Sequence, residues 1–434
     1  MIIRNATIVN EGERFEGSVR TAGGRIVEVA RGREIFASDD EVIDADGALL
    51  LPGVIDEHVH MREPGLTQKA TMESETRAAV RGGVTTVLDM PNVVPQTTSL
   101  ELLEERYRMG AASCHVNYGF YLGATDSNIE DIKRMDTHRC PGVKLFMGSS
   151  TGGMLVDREE PLRRIFENSP TIIMTHCEET ARINANMAAA KVKYGEDPDV
   201  THHAEIRDRK ACYDSTAMAV EMARQSGARL HVAHLTTADE LAFFRAGDDR
   251  ITAEACCAHL LFTDADYQTL GTRIKCNPSI KTAADRDALR EAVLDGRIRC
   301  IGTDHAPHLL SDKMGGCAKA ASGMPMMQFS LPSMLGIFSA EKVVEQMCHN
   351  PASLLHINER GYIREGYYAD LVLVRPQEWK VNSDCIESLC GWSPLEGSML
   401  KWQVEGTWVN GQQVWDGRKV NTETKGKAVE IGSV

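Results

Sequence analysis

The middle of the chain repeats one pattern, in which a continuous apolar run precedes a segment with helical periodicity. The apolar runs lie at 48–60, 83–92, 114–125, 142–150, 171–179, 228–238, 250–262 and 297–308. Unbroken apolar runs are typical of parallel strands that are buried on both faces. Strands that alternate with helices indicate βα units. The eight units therefore predict an α/β fold, a (β/α)8 TIM barrel.

The two ends of the chain show a different pattern, with short β-like runs separated by glycine turns, such as "GRIVEVA" and "YYADLVLV". We expect these ends to pair in a small β-sandwich domain beside the barrel. The predicted division is 1–50 plus 359–434 for the β-rich domain and 51–358 for the barrel. A doubly wound open sheet is the alternative for the middle, but no Gly-x-Gly-x-x-Gly follows its first strand.

Composition and charge narrow the class of protein. The 434 residues are 42% hydrophobic and 25% charged, which is typical of a globular protein. A formal net charge of −14 argues against nucleic acid or an anionic membrane as the main partner. No signal-peptide pattern and no long apolar run occur, so we expect a cytoplasmic protein without a membrane span. The 12 cysteines are scattered through apolar segments and are expected to be buried free thiols.

Polar residues stand at the ends of several predicted strands, where the functional residues of a barrel lie. They are His58 and His60 on the first strand, Lys144 on the fourth, His176 on the fifth, His234 on the sixth, and Asp304 with His308 on the eighth. A single histidine at a strand end is usually a structural residue, and Asp304 alone would simply cap a helix. Their joint occurrence at one end of five strands predicts a metal site instead.

The residue types suit a pair of divalent cations. His58 and His60 lie two apart on a strand, so both point to one face, and imidazole suits zinc. Burial lowers the pKa of a lysine, and a neutral amine can react with carbon dioxide to give a carbamate. We therefore expect two metal ions, Zn²⁺ in the first instance, bridged by an N6-carboxylated Lys144. One ion would be bound by His58, His60 and Asp304, and the other by His176 and His234.

This set of residues resembles the amidohydrolase superfamily, which has "HVH" on strand 1, lysine on strand 4, histidines after strands 5 and 6, and aspartate on strand 8. The C-terminal "GYIREGYYADLVLV" is similar to the β-domain of that superfamily. The resemblance covers nearly all of the chain. It implies a metal-dependent hydrolase that acts on a cyclic amide.

Within the superfamily, the cyclic amidases differ in how they hold their substrates. "HVHMREPG" resembles the dihydroorotase form, which implies that Arg62 binds a substrate carboxylate. By the same resemblance, "DMPNVVPQT", "CNPSIK" and "GTDHAPH" imply that Asn92, Asn277 and His308 also contact the substrate. A guanidinium is well suited to such a contact because it can bind a carboxylate through two hydrogen bonds.

The resemblance implies the reversible cyclisation of N-carbamoyl-L-aspartate to L-dihydroorotate, in de novo pyrimidine biosynthesis. A metal-bridging hydroxide would attack the ring carbonyl, and Asp304 would act as general base and then as general acid. The alternatives are a hydantoinase (dihydropyrimidinase), an allantoinase, or an inactive scaffold homologue. The resemblance also implies a homodimer, and aspartate transcarbamoylase is a candidate partner.

Three further segments have less definite roles. His259, at the end of the predicted seventh strand, is expected to support the site without touching the substrate. His202 and His203 lie in a predicted loop or helix and are expected to be structural. The segment 315–332 lies where the resemblance places a substrate-contacting backbone, but no side chain there can be assigned a role.

Overall fold

A computed structural model of the chain describes residues 1–36, 40–148 and 154–433. The strands are β1 (Ile2–Asn10), β2 (Glu13–Ala22), β3 (Arg25–Arg31), β4 (Val42–Asp44), β5 (Leu49–Pro52), β6 (Val54–Val59), β7 (Val84–Asp89), β8 (Asn117–Phe120), β9 (Leu122–Gly123), β10 (Val143–Phe146), β11 (Ile173–His176), β12 (Leu230–Val232), β13 (Ile251–Cys256), β14 (Cys300–Gly302), β15 (Leu371–Lys380), β16 (Met399–Val409) and β17 (Gln412–Trp415).

The α-helices are α1 (Met72–Arg81), α2 (Leu100–Ser113), α3 (Ile129–Arg134), α4 (Glu159–Asn168), α5 (Thr180–Tyr194), α6 (His203–Ile206), α7 (Arg209–Ser226), α8 (Cys257–Leu261), α9 (Tyr267–Leu270), α10 (Ala283–Asp295), α11 (Ser330–Leu335), α12 (Ala340–Val344) and α13 (Asn350–Leu354). Short 3-10 helices lie at Val200–His202, Asp239–Phe243, Asp264–Asp266, Gly271–Ile274, Leu310–Lys313, Met327–Phe329 and Ser383–Cys385, and a π-helical turn at Glu345–His349. In the part of the chain with assigned structure, no helix is long and apolar enough to cross a membrane.

Strands β6 to β14 form the predicted parallel barrel. β6, β7 and β8 pair in order, and β9 to β14 pair in order. Tyr121 lies between β8 and β9. Its N–H donates to the carbonyl of Asp89 in β7 at 3.1 Å, so the pairing of β7 with β8 extends to this residue. A parallel bridge between Val59 and His305 closes the ring from the last strand to the first. The prediction of a TIM barrel is confirmed.

One predicted strand boundary is wrong. The apolar run 48–60 contains two strands, since β5 pairs with β1 and β15 at the chain ends, and β6 belongs to the barrel. The chain changes sheets at Gly53, where a Cβ atom would lie 2.1 Å from Oγ1 of Thr85. Both strands are fully buried, so apolarity alone does not separate them. The last two residues of the predicted run 142–150 lie outside the described residues.

The two ends of the chain form one eight-stranded sheet, which confirms the predicted terminal β-domain. Its order is β17-β16-β15-β5-β1-β2-β3, with β4 paired to β1. It has its own apolar core, which includes Ile8, Leu50, Leu371 and Trp408. The sheet therefore joins the chain ends, and β5 leads directly from it into the first barrel strand.

The helices pack on the outside of the barrel through apolar residues at helical spacing. In α4, for example, Leu162, Ile165 and Phe166 are buried, which is the i, i+3, i+4 pattern of an amphipathic helix. Inside the barrel, Ile55, Met174 and other apolar residues form a separate cluster. Ile55 and Met174 precede the histidines of their strands, so this cluster lies below the site. The C-terminal end of the barrel interior is therefore lined by polar residues.

Candidate active site

The structure brings the six predicted metal ligands together at the C-terminal ends of the barrel strands. His58, Lys144 and His176 lie within β6, β10 and β11, and the others lie in the loops that follow β6, β12 and β14. The Asp304 carboxylate Oδ1 lies 3.0 Å from Nε2 of His60 and 3.5 Å from Nε2 of His58. His234 and Asp304 adopt positive φ angles of 39° and 47°, a strained conformation that is commonest at functional sites.

Three lone pairs converge at the first of two ligand groups. The Nδ1 atoms of His58 and His60 lie 2.5 Å from Glu254 Oε1 and 2.7 Å from Asn92 Oδ1. Both partners are acceptors, so each Nδ1 carries the proton and each Nε2 presents a lone pair to Asp304. Imidazole nitrogens and a carboxylate oxygen facing one another, with no donor between them, form a site for a cation.

The second ligand group is His176 with His234. Nε2 of His176 lies 3.0 Å from Glu178 Oε2, so this nitrogen donates and Nδ1 is left with its lone pair. Glu178 is itself held by an ion pair with Arg207. Nδ1 of His176 lies 3.0 Å from Nε2 of His234. The ring centroids of His58 and His234 lie 5.4 Å apart, so the two groups are neighbours.

Lys144 is fully buried among these ligands. Its Nζ has no hydrogen-bond partner among the described residues, although the ring of Phe146 lies 5.3 Å away. Burial lowers the pKa of the amine. A buried amine with a lowered pKa loses its proton more readily, and beside two sets of candidate metal ligands it is suited to carboxylation, because the carbamate oxygens could then bind cations.

Asp304 is ionised in this setting. Burial by itself would raise the pKa of its carboxyl group, but a proton on the facing nitrogens of His58 or His60, or a bound cation in the same place, holds that pKa well below its usual range. Burial lowers the pKa of His60 to about 4, so its imidazole is neutral at neutral pH. The site therefore combines neutral imidazoles with a carboxylate, the protonation states that metal binding requires.

The predicted substrate residues Arg62 and His308 lie beside the metal ligands and contact each other. Arg62 is only 3% exposed; its Nε donates to the carbonyl of Pro307 at 3.0 Å, and its Nη2 lies 3.0 Å from Nε2 of His308. Burial lowers the pKa of Arg62 to about 10, which leaves it cationic at neutral pH. No carboxylate of the described residues forms an ion pair with it. A buried cation in this state needs an anionic partner.

The two predicted asparagines occupy different positions. Asn277 follows β13 and α8 in a loop, and its Oδ1 is buried without a hydrogen-bond partner in the described part of the chain. Asn92 follows β7, and its Oδ1 accepts the hydrogen bond from His60. Asn92 therefore orients a metal ligand, a role that the sequence analysis did not predict.

The sequence analysis also missed the acidic residues behind the histidines. Glu254 accepts from Nδ1 of His58 and, at 2.9 Å, from the backbone N–H of His234, so one carboxylate holds ligands of both groups. Glu178 holds His176. Each is an acidic residue within or next to an apolar strand, in "TAEACC" and "THCEE", and this was the available signal.

The residues without a definite prediction support the loops of the site. His259 lies in α8, which corrects its predicted placement in a strand. Its Nε2 lies 3.1 Å from the carbonyl of Pro278, next to Asn277. His203 contacts the carbonyl of Cys276 at 2.9 Å, as a structural histidine would. Segment 315–332 packs behind His308: the carbonyl of Met324 accepts from the N–H of Ala306 at 2.9 Å.

Known proteins match this chain along nearly its whole length. The model of the amidohydrolase family matches residues 49–414. A dihydroorotase of Halobacterium salinarum is 33% identical over 97% of this chain and 97% of its own length. An allantoinase of Streptomyces avermitilis is 30% identical over 98% of both chains. The structure of an L-hydantoinase (dihydropyrimidinase) from Arthrobacter aurescens superposes with a TM-score of 0.90, at 27% identity and 97% coverage of both chains.

Proposed function

The chain belongs to the amidohydrolase family and is a hydrolase of cyclic amides, and we propose that within this family it is a dihydroorotase. It would interconvert L-dihydroorotate and N-carbamoyl-L-aspartate, the ring-closing direction serving pyrimidine biosynthesis. Dihydroorotases of several organisms are similar to it over nearly full length.

The observation that carries the proposal is the buried Arg62. Dihydroorotate carries a carboxylate that the neutral rings of hydantoin and dihydrouracil lack, and this carboxylate would pair with Arg62. Arg62 lies two residues beyond His60, so a carboxylate bound there would hold the ring next to the metal ligands. A neutral substrate would leave the guanidinium buried and unpaired, which is costly.

We further propose that two Zn²⁺ ions and a carboxylated Lys144 complete the site. His58, His60 and Asp304 would hold one ion, His176 and His234 the other, and the carbamate of Lys144 both; the short distances between these side chains support this assignment. When bound, such ions polarise a carbonyl and bring the pKa of water toward neutrality. Glu254, Glu178 and Asn92 keep the imidazoles in the orientation that this requires.

The protein's own groups would position the substrate and move one proton. Arg62 and His308 bind the carboxylate, and Oδ1 of Asn277 accepts a ring N–H. In hydrolysis, Asp304 takes the proton of the attacking water and returns it to the amide nitrogen as the ring opens. In the reverse direction Asp304 removes that proton from the nitrogen as the C–N bond forms and passes it to the carboxyl oxygen, which leaves as water. Its lowered pKa keeps it a carboxylate, the form that starts hydrolysis.

An allantoinase is the second candidate, favoured by the similar enzyme of Streptomyces avermitilis. The two are distinguished by assaying the zinc-reconstituted chain with dihydroorotate, allantoin and hydantoin. We expect kcat/KM for dihydroorotate to exceed the others by at least about 100-fold, because a site built around a charged contact rejects substrates that lack it. Turnover of allantoin or hydantoin without turnover of dihydroorotate would overturn the proposal.

A further inference from the structure

His308 lies between two cationic side chains, one at each ring nitrogen. Nη2 of Arg62 lies 3.0 Å from its Nε2, and Nζ of Lys69 lies 3.0 Å from its Nδ1. The ring is only 2% exposed, so water has little access to either nitrogen. Lys69 lies in the turn before α1 and was not among the residues predicted from the sequence.

These two contacts cannot both be hydrogen bonds. Arginine and lysine side chains carry only donors, and a neutral imidazole has one donor and one acceptor nitrogen. A protonated imidazole would have no acceptor at all. Burial, together with Arg62, Lys69 and Lys313, lowers the pKa of His308, so the ring is neutral. Whichever tautomer forms, one N–H of His308 lies against the N–H groups of a cation, and the acceptors beside the ring are the backbone of Ser322 and, 3.8 Å from Nδ1, Oδ2 of Asp312.

The surroundings decide which contact is retained. Oδ2 of Asp312 lies 3.1 Å from Nζ of Lys69 and holds the ammonium group at Nδ1. Asp312 lies in the short helix that follows His308, and its Oδ2 accepts from the N–H of Leu309 at 3.3 Å. Lys69 is therefore anchored on the side of His308 away from Arg62. Arg62 is anchored through Nε to Pro307, and within the described residues its Nη2 has no acceptor besides Nε2 of His308.

We infer that Lys69 is a positioning residue, which keeps His308 in the tautomer with Nδ1 as acceptor and Nε2–H as donor, so that Nε2–H and Arg62 together bind a carboxylate. The inference rests on the proposed function and deepens it. Nη2 of Arg62 and Nε2–H of His308, which lie 3.0 Å apart, would both donate to one anion. Lys69 would act on the substrate through His308 and would add positive charge at the edge of the site.

The test is the variant Lys69→Met, which keeps an unbranched apolar stem and removes the donor. We expect KM for dihydroorotate to rise about 10- to 100-fold, the effect of losing a hydrogen bond to a charged group, with kcat within about 3-fold of wild type. Lys69→Arg, which restores a cationic donor, should return KM to within about 5-fold of wild type. The surface variant Lys133→Met is the matched control, since Lys133 pairs only with exposed Glu130 among the described residues.

A merely structural role for Lys69 gives different results. It predicts a lower melting temperature and parallel losses in kcat and metal content. Our account predicts a melting temperature within about 3 °C of wild type. The weak ion pair of Lys69 with Asp312 is lost, and the unfavourable contact between the N–H groups of His308 and Arg62 is relieved. In ¹⁵N spectra of histidine-labelled protein, with His308→Gln for assignment, Nε2 should carry the proton in wild type. An Nδ1–H tautomer in wild type would overturn the inference.

The outcome for Lys69 is separable from that of the proposed function. If wild-type chain fails to turn over dihydroorotate, the proposed function is wrong, and the inference falls with it. If wild type turns over dihydroorotate and Lys69→Met has an unchanged KM, the dihydroorotase proposal stands and the role of Lys69 is refuted.

Discussion

The two sides of the barrel mouth carry side chains of opposite chemical character. On the metal side, imidazole nitrogens and the Asp304 carboxylate converge, an arrangement that suits a cation. On the substrate side, the N–H groups of Arg62 and Lys69 converge on the two ring nitrogens of His308, and among the described residues no carboxylate pairs with Arg62. We propose from this difference that each side specifies the charge of its own ligand, metal ions on one side and a carboxylate on the other.

The largest expected effect comes from removing the bridge on the metal side. Lys144→Ala should lower kcat by at least about 1,000-fold, since metal-ion catalysis contributes several kcal/mol. Metal content should fall below two ions per chain, as measured by elemental analysis, with KM less affected. Short carboxylic acids such as acetate should restore part of the activity by supplying a bridging carboxylate. Unchanged activity would show that Lys144 bridges nothing.

Arg62→Met should remove the carboxylate contact on the substrate side and leave metal binding unchanged. We expect kcat/KM for dihydroorotate to fall about 100- to 1,000-fold, because a buried charge-assisted contact is lost. Metal content should remain that of wild type. Arg163→Met is the control, since Arg163 is exposed on α4 and pairs with Glu159. Loss of metal in Arg62→Met would contradict the separation of the two sides.

Asn92 is the residue at which the two sides meet, because the resemblance places it on the substrate and the structure places its oxygen on His60. Asn92→Ala should weaken metal binding about 10- to 100-fold, the usual effect of losing a partner that orients a ligand. The measurement is competition with a chelator, alongside KM for dihydroorotate. A change in KM with unaltered metal affinity would assign Asn92 to the substrate side alone.

The smallest expected effect concerns stability and arises beneath the substrate side. Burial lowers the pKa of His259 to about 4, against 6.5 for an unperturbed histidine. His259 therefore binds a proton more readily in the unfolded chain than in the folded protein. Its contribution to stability is complete above pH 6.5 and is lost as the pH falls toward 4.

Between pH 7 and pH 5 this single group should lower the free energy of unfolding by about 2 kcal/mol. Urea unfolding at the two pH values measures the change. In His259→Gln the decrease should be smaller by about 2 kcal/mol, because the substituted side chain does not titrate. An identical pH dependence in the variant would show that His259 is protonated, or exposed, in the folded protein.

The metal side could be predicted from the sequence because strand geometry is regular. His58, Lys144 and His176 lie within parallel strands whose C-terminal ends meet, so sequence position alone places them together. The barrel followed from the same regularity. The change of sheet at Gly53 could not be predicted, because the apolar run continues through this residue. The close packing of Gly53 against Thr85, which marks the end of one strand and the start of the next, is visible in the structure alone.

The contacts that orient the site could not be predicted in the same way. His58 and Glu254 are separated by 196 residues, and Lys69 and His308 by 239. Such pairs depend on the register of distant strands and on the course of loops, neither of which has a periodic signal. Lys69 in particular lies in a turn, "GLTQKAT", where a lysine is ordinarily a solvated surface residue.

The central claim is tested most directly by a matched pair of substrates, dihydroorotate and dihydrouracil, which share a ring and differ in the carboxylate. The zinc-reconstituted chain should prefer dihydroorotate in kcat/KM by at least about 100-fold, and Arg62→Met should abolish most of that preference. Equal or faster turnover of dihydrouracil by the wild-type chain would contradict the claim that the substrate side is built for an anion.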